Sequence, residues 1–103
     1  MKTSFYDRHE RRTYALIEET CRRILADPGL IGVARAHMEK FMALDPHQRP
    51  YYAMWRELLD LPPSDLVERL LEDSPRGDLV RETMPSFGGI ATDDAMEIIS
   101  KIP

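Results

Sequence analysis

Apolar residues recur along this chain at intervals of three and four, the spacing that places them on one face of an α-helix. Prolines and glycines interrupt the pattern at intervals, and no segment alternates apolar and polar residues as a strand would. The pattern therefore predicts an all-α fold, a compact bundle of five or six helices in which the later ones are short. The predicted helices cover residues 4–26, 28–44, 50–60, 63–72, 75–84 and a last segment capped by Thr92.

The second predicted helix carries the most regular apolar stripe in the chain. Steps of four, three, four and three residues connect its members, which are Leu30, Ala34, His37, Phe41 and Leu44. A stripe of this kind is typical of a helix face that packs against a core. We therefore expect all five side chains to face the interior, with the polar edge of His37 hydrogen-bonded.

The stretch PHQRPYYAMWRELLDLPP, residues 46–63, gathers two tyrosines and the only tryptophan into five positions. Tyr51 and Trp55 are four residues apart, so they share a helix face, and aromatic residues at this spacing usually fill a core. Tyr52 lies on another side, with Arg56 four residues further on. Helical geometry brings that guanidinium near the Tyr52 ring, which indicates a surface pair.

The stretch SFGGIATDDA places a large apolar residue, Phe87, on a predicted loop. Such a residue is either packed into the core or presented to a partner as a contact. Just before the loop, Arg81 stands almost alone in an acidic region, with Asp78 and Glu82 as its nearest carboxylates. An internal ion pair is the simplest role for Arg81, and a contact with a partner is the alternative.

Charge is distributed unevenly over the 103 residues, whose formal net charge is −4. Residues 1–56 hold ten Lys and Arg against seven Asp and Glu, whereas residues 57–103 hold four against eleven. The length and composition predict a single helical domain, residues 1–103, in which the polar residues 1–13 are a candidate projecting helical arm. A single cysteine and a start without an apolar signal segment favour a cytoplasmic protein, and no membrane contact is expected.

Residue types that bind metals or catalyse reactions are few in this chain, and their spacing does not match a known kind of site. The three histidines and the single cysteine lack the spacing of a zinc site, so we expect no metal and no cofactor. Cys21 lies on the inner face of the first predicted helix, where a thiol is usually inert. No nucleophile has a candidate base at a recognisable spacing, so catalysis is not expected.

Residues 24–90 resemble small helical bacterial proteins that are often encoded beside toxins of the nucleotidyltransferase or PIN class. Those proteins often read W-x-x-L-L, then L-L-x-x-S, then L-R-x-x-x-P-F-x-G. The matching positions are Trp55, Leu58, Leu59, Leu70, Leu71, Ser74, Val80, Arg81, Pro85, Phe87 and Gly89. Two departures are Val80 in place of leucine and Ser86 between Pro85 and Phe87. The resemblance implies an antitoxin-like protein that neutralises a partner by covering its surface.

Taken together, these patterns predict a non-catalytic module that binds a protein partner, which the resemblance implies to be a toxin. Its expected contact residues combine aromatic rings with charge, and they are Tyr52, Arg56, Asp78, Arg81, Glu82 and Phe87. The alternative is a DNA-binding regulator that uses the basic start of the first helix, namely Arg8, Arg11 and Arg12. The net negative charge makes nucleic acid the less favoured partner, because neutralisation of phosphates supplies most non-specific affinity.

Overall fold

The computed structural model describes residues 1–103, and it confirms an all-α fold with six helices and no strand. The later helices are short, as predicted: each of the last three has eight or nine residues. The helices are α1 (Arg8–Ala26), α2 (Leu30–Phe41), α3 (Arg49–Leu59), α4 (Pro63–Leu71), α5 (Pro75–Glu82) and α6 (Thr92–Ser100).

Helix α1 forms the spine of the domain and packs against α4, α6 and α2. It begins at Arg8, not at residue 4 as predicted, because the Asp7 side chain accepts a hydrogen bond from the backbone N–H of Glu10 at 2.8 Å and caps the helix. The preceding residues do not project as an arm. They fold back over α1, where the Lys2 N–H donates to the Tyr14 hydroxyl at 3.0 Å.

Helix α2 buries a different stripe from the predicted one. Its most buried side chains are Ala34 and Met38, followed by Met42 just beyond the helix end, and all three belong to the central core. Phe41 and Leu44, which were predicted to be core residues, are 55% and 83% exposed. The reason is that α2 carries two overlapping apolar stripes, and packing against α3 and α1 buries only one of them.

Helix α3 supplies the centre of the core, as predicted. Trp55 is fully buried, and its indole N–H donates to the Thr83 hydroxyl at 3.0 Å, which satisfies the polar atom of an otherwise apolar side chain. Tyr51 packs against the same cluster but is only partly buried. Leu58 and Leu59 complete the buried face of this helix.

Helices α4 and α5 form a tight pair whose starts follow the proline signals in the sequence. Pro63 and Pro75 each occupy the first turn of their helix, and the Ser74 hydroxyl caps α5 by accepting from the Gly77 N–H at 2.9 Å. A side chain at Gly77 would place its Cβ 1.9 Å from the carbonyl oxygen of Glu72. Only glycine therefore permits this close approach of α5 to the end of α4.

The loop between α5 and α6 crosses the core and fixes the last helix against α1. Phe87 is 2% exposed and meets Trp55 edge to face, with ring centroids 6.2 Å apart. Gly88 follows with φ of +91°, a backbone conformation that favours glycine. Helix α6 then begins at Thr92 without a side-chain cap, which differs from the predicted cap at this residue, and it is only partly buried.

Candidate protein-interaction surface

The six residues predicted to contact a partner lie in three separate places. Asp78, Arg81 and Glu82 on α5 line a cleft beside the N-terminal residues, with a volume of about 420 Å³. Tyr52 and Arg56 form a pair on the outer side of α3, and Phe87 is in the core. The structure therefore does not gather them into one contact surface.

The cleft beside the N-terminal residues, which we call the N-terminal cleft, is a closed network of charges. The Lys2 ammonium lies 2.9 Å from Glu10 and 3.2 Å from Asp78, and only 12% of its side chain is exposed. The Asp78 carboxylate also accepts from Arg81 at 2.6 Å. Each of these charges has its counterion within the domain.

Titration properties in the cleft follow from those contacts. Hydrogen bonds to Glu10 and then to Asp78 raise the pKa of Lys2, because they favour its charged form. The hydrogen bond from Lys2, assisted by that from Arg81, lowers the pKa of Asp78. Lys2 and Asp78 are thus ionised and paired at neutral pH, whereas Glu82, which also lines the cleft, has no ion-pair partner.

Arg81 has a structural role that the sequence did not reveal. Its guanidinium donates to the carbonyl oxygens of Leu70 at 2.9 Å and Glu72 at 2.8 Å, which end α4 without helical partners of their own. The same group lies 5.1 Å from the centroid of the Tyr14 ring, and 8% of its side chain is exposed. The predicted ion pair with Asp78 is confirmed. The predicted contact of Arg81 with a partner stays a prediction, at a side chain that is mostly enclosed by the domain.

The predicted pair of Tyr52 and Arg56 is present on the surface. The Arg56 guanidinium lies 5.8 Å from the centroid of the Tyr52 ring, and the Tyr52 hydroxyl donates to Glu39 at 2.7 Å. That hydrogen bond raises the pKa of the Tyr52 phenol, because it holds the phenolic proton against the Glu39 carboxylate. The pair joins α3 to α2, and Arg56 remains exposed.

Phe87 is packed into the core and is not an exposed contact residue. With 2% of its surface exposed, it belongs to the same cluster as Trp55, Leu66 and Val80. The prediction that Phe87 is an exposed contact for a partner is therefore wrong. The signal that favoured burial was present in the sequence, because a small domain rarely leaves so large a side chain in water.

The arginines of the DNA-binding alternative lie at the start of α1. Arg8 and Arg11 are exposed, and the Arg11 guanidinium lies 5.3 Å from the centroid of the Phe5 ring. Arg12 is half-buried, with its Nε shielded from water and without a hydrogen-bond partner. Asp7 and Glu10 stand among these residues and offset part of their charge.

A second depression, which sequence reasoning missed, lies between α2 and α5. This α2–α5 groove has a volume of about 640 Å³, and Phe41 and Leu79 on its walls are both exposed. Tyr51 and Met84 line it as partly buried side chains, and Met42 connects it to the core. Five of its ten lining residues are apolar, so the groove is an open surface of mixed character that reaches the packed core at Met42.

The apolar surface continues along α2 beyond the groove. Val33, His37 and Phe41 follow one another at steps of four on one face of the helix, and Leu44 comes three residues later. Val33 is 44% exposed and Leu44 is 83% exposed, while the His37 ring packs against Phe41 with centroids 4.8 Å apart. The His37 Nδ1 accepts from the Ser86 N–H at 3.3 Å, so the predicted hydrogen bond is present although the residue is only half-buried.

The charged side chains that line the groove are acidic. Asp45 and Glu82 contribute carboxylates, and neither forms an ion pair with the rest of the domain. The Asp45 carboxylate accepts from the His47 N–H at 2.9 Å, which holds it in place at the start of the turn before α3. The groove therefore combines exposed apolar side chains with unpaired negative charge.

The signal that could have revealed this groove was the apolar content of the second predicted helix. Seven of the twelve residues of α2 are Leu, Ile, Val, Ala, Met or Phe, at positions 30, 31, 33, 34, 36, 38 and 41, spread over more than one face. One buried face needs fewer. The surplus indicated a second apolar stripe, although not which of the two would be exposed.

Other chemistry is limited in the structure. Burial raises the pKa of the Cys21 thiol to about 12, with a smaller contribution from Glu18, so the thiolate is strongly disfavoured. No group of three or more His, Cys, Asp or Glu side chains is arranged to hold a metal ion. None of the six helices has the length and apolar character needed to cross a membrane.

The fold and the surface define a small all-α domain with an open groove between two of its helices, lined by both apolar and polar side chains. Comparison with known protein families, with characterised proteins and with solved structures found no match.

Proposed function

We propose that this domain is a non-catalytic module that binds a protein partner in the α2–α5 groove. The observation that carries the proposal is the exposure of Phe41, Leu44 and Leu79 at or beside one groove, above a core that is complete without them. Apolar surface in water costs about 25 cal/mol per Å², so covering these side chains with a partner is favourable. A contiguous exposed apolar surface is typical of an interaction site.

The narrower form of the proposal is an antitoxin-like role, in which the partner is a toxin that the domain neutralises by covering it. The resemblance to small helical bacterial proteins supports this form. Most of the residues that carry the resemblance, such as Trp55, Leu70, Val80 and Phe87, pack in the core. They support a shared fold, and recognition of a partner then depends on surface residues such as Phe41 and Leu79.

The proposal is tested by photo-crosslinking in the native host, with a photoreactive phenylalanine at Phe41 and, as a control, at the exposed position Leu25 on α1. A partner that crosslinks at position 41 and not at position 25 is identified by mass spectrometry and purified. Leu44→Ala or Leu79→Ala is then expected to weaken its complex by at least about 2 kcal/mol, the usual threshold for a hot spot. Leu25→Ala, a matched change at an exposed leucine elsewhere, is expected to have little effect.

Two results would contradict the proposal. Equal crosslinking at both positions would mean that the groove is not a contact surface. A complex with duplex DNA that weakens steeply with salt and is lost on Arg8→Glu with Arg11→Glu would instead establish the DNA-binding alternative. For the antitoxin-like form, co-expression with the protein encoded beside this chain is expected to relieve growth inhibition, and Leu44→Ala is expected to abolish that relief.

A further inference from the structure

We propose that the occupant of the α2–α5 groove is a basic amphipathic α-helix of the partner. This inference rests on the proposed function and adds the secondary structure and the charge of the bound segment. It follows from three properties of the groove: the spacing of its apolar side chains, the methionines that line it, and the sign of its unpaired charges.

The spacing of the exposed side chains fits a second helix lying along α2. Val33 and Phe41 are about 12 Å apart along the axis at the α-helical rise of 1.5 Å per residue, and Leu44 follows in the turn just beyond the end of α2. Side chains four residues apart form the ridges that a neighbouring helix accepts into its grooves. A partner helix of about three turns would cover this stripe.

The side chains that line the groove are also of the types that bind a partner helix. Met42 and Met84 lie at its base, and unbranched methionine side chains adjust to the shape of an apolar surface placed against them. Tyr51 on α3 and Leu79 on α5 also line it. Amphipathic helices bind in apolar grooves of this kind through residues at intervals of three and four.

Charge determines which helix the groove accepts. Asp45 and Glu82 are the charged residues that line it, and both carboxylates lack a cation within the domain. The Lys40 ammonium, 5.2 Å from the centroid of the Phe41 ring, adds one positive charge at the α2 edge against these two carboxylates. Basic residues of the partner placed opposite Asp45 and Glu82 would pair with them, whereas acidic residues there would be repelled.

A second copy of this chain fits the groove less well. Two copies joined through the same surface would bring Asp45 and Glu82 of both into one interface, because each copy contributes the same patch. Like charges placed opposite each other across an interface are unfavourable. The structure therefore favours a different chain as the occupant.

The inference is tested by selecting binders from a displayed library of random peptides of about twenty residues, long enough for about five helical turns. Selection uses the folded domain. Peptides that also bind the double variant Phe41→Ala/Leu79→Ala are removed by counter-selection, and the fold of that variant is checked by circular dichroism. We expect the enriched peptides to place apolar residues at helical spacing and to carry net positive charge. The best peptide is then synthesised and its affinity measured by fluorescence anisotropy.

The synthesised peptide should bind the double groove variant at least about tenfold more weakly than the wild type, as loss of hot-spot contacts does, and Leu25→Ala should change its affinity less than about twofold. Asp45→Asn with Glu82→Gln removes both charges while preserving side-chain shape and the Asp45 hydrogen bond. This change should weaken the peptide about fivefold and reduce its dependence on salt.

The alternative outcomes separate the inference from the proposed function. Enriched peptides that depend on the groove but lack helical spacing, or that are neutral or acidic, would overturn the inference and leave the binding function in place. An absence of any peptide that depends on Phe41 and Leu79 would overturn both. Self-association of the domain that is abolished by Leu44→Glu, measured by light scattering, would make a second copy the occupant and overturn the inference.

Discussion

The N-terminal cleft and the α2–α5 groove lie on two sides of α5 and differ in how their charges and apolar atoms are satisfied. In the cleft, Lys2, Asp78 and Arg81 pair with groups of the same domain. In the groove, Phe41 and Leu79 face water, and Glu82, which borders both depressions, has no counterion.

This difference indicates a structural role for one depression and an interaction role for the other. A network whose donors and acceptors already have partners gains little when another molecule arrives, because new contacts would replace existing ones. Exposed apolar side chains and unpaired carboxylates gain a partner without losing one. Substitutions in the cleft should therefore reduce stability, whereas substitutions in the groove should reduce binding.

The largest expected effect is a difference in stability between alanine substitutions of two phenylalanines, one in the core and one on the groove wall. Phe87→Ala should lower the free energy of unfolding by about 3 to 5 kcal/mol, because it removes a buried ring packed against Trp55. Phe41→Ala, at a position that is 55% exposed, should lower it by less than about 1 kcal/mol. Urea unfolding followed by circular dichroism measures both.

The same two variants also sharpen the assignment of function. The folded fraction of Phe87→Ala should retain full affinity for a groove-binding partner, whereas Phe41→Ala should lose affinity. A Phe87→Ala protein with unchanged stability but weakened binding would make Phe87 a contact residue and would contradict its assignment to the core.

A smaller effect is expected from Arg81, the structural cation of the cleft. Arg81→Met should cost about 3 kcal/mol of unfolding free energy, because the carbonyl oxygens of Leu70 and Glu72 lose charged hydrogen-bond donors. Arg81→Lys should recover part of this loss, since one ammonium cannot reproduce the planar fork. Thermal unfolding compares the two. An Arg81→Met variant that keeps the stability of the wild type but binds the partner more weakly would place Arg81 in the interaction surface.

The smallest expected effect is a pH-dependent contribution from Lys2 and Asp78. The lowered pKa of Asp78 means that its contribution to stability is present above its ordinary value of 3.8 and is lost as the pH falls through its folded-state pKa. The raised pKa of Lys2 means that its contribution is present below 10.5 and is lost as the pH rises through its folded-state pKa.

Lys2→Met should therefore reduce the urea midpoint slightly at pH 7 and hardly at all below the folded-state pKa of Asp78. The effect is small because Asp78 is 47% exposed and solvent screens the pair. Lys101→Met serves as the control, since Lys101 is 73% exposed and lies 3.8 Å from Glu97. An equal change in both variants at pH 7 would show that the cleft network contributes no more than an ordinary surface pair.

Local chemistry in the sequence predicted five or six helices and placed the starts of α4, α5 and α6 correctly. Pro63 and Pro75 at helix starts, and the Ser74 cap, act within a few residues, so the sequence shows them directly. The burial of Trp55 was also predictable, because a large aromatic residue on a regular apolar face has few alternatives to the core. The surface pair of Tyr52 and Arg56 followed from helical spacing alone.

Tertiary structure decided which of two equivalent local patterns was used. The two apolar stripes of α2 share Ala34, and only the positions of the neighbouring helices select Met38 for the core and leave Phe41 in water. Arg81 reaches carbonyl oxygens about ten residues away in sequence, a contact that exists only once α4 and α5 have packed. Spacing along a chain defines faces, whereas burial of a face depends on contacts between residues that are distant in sequence.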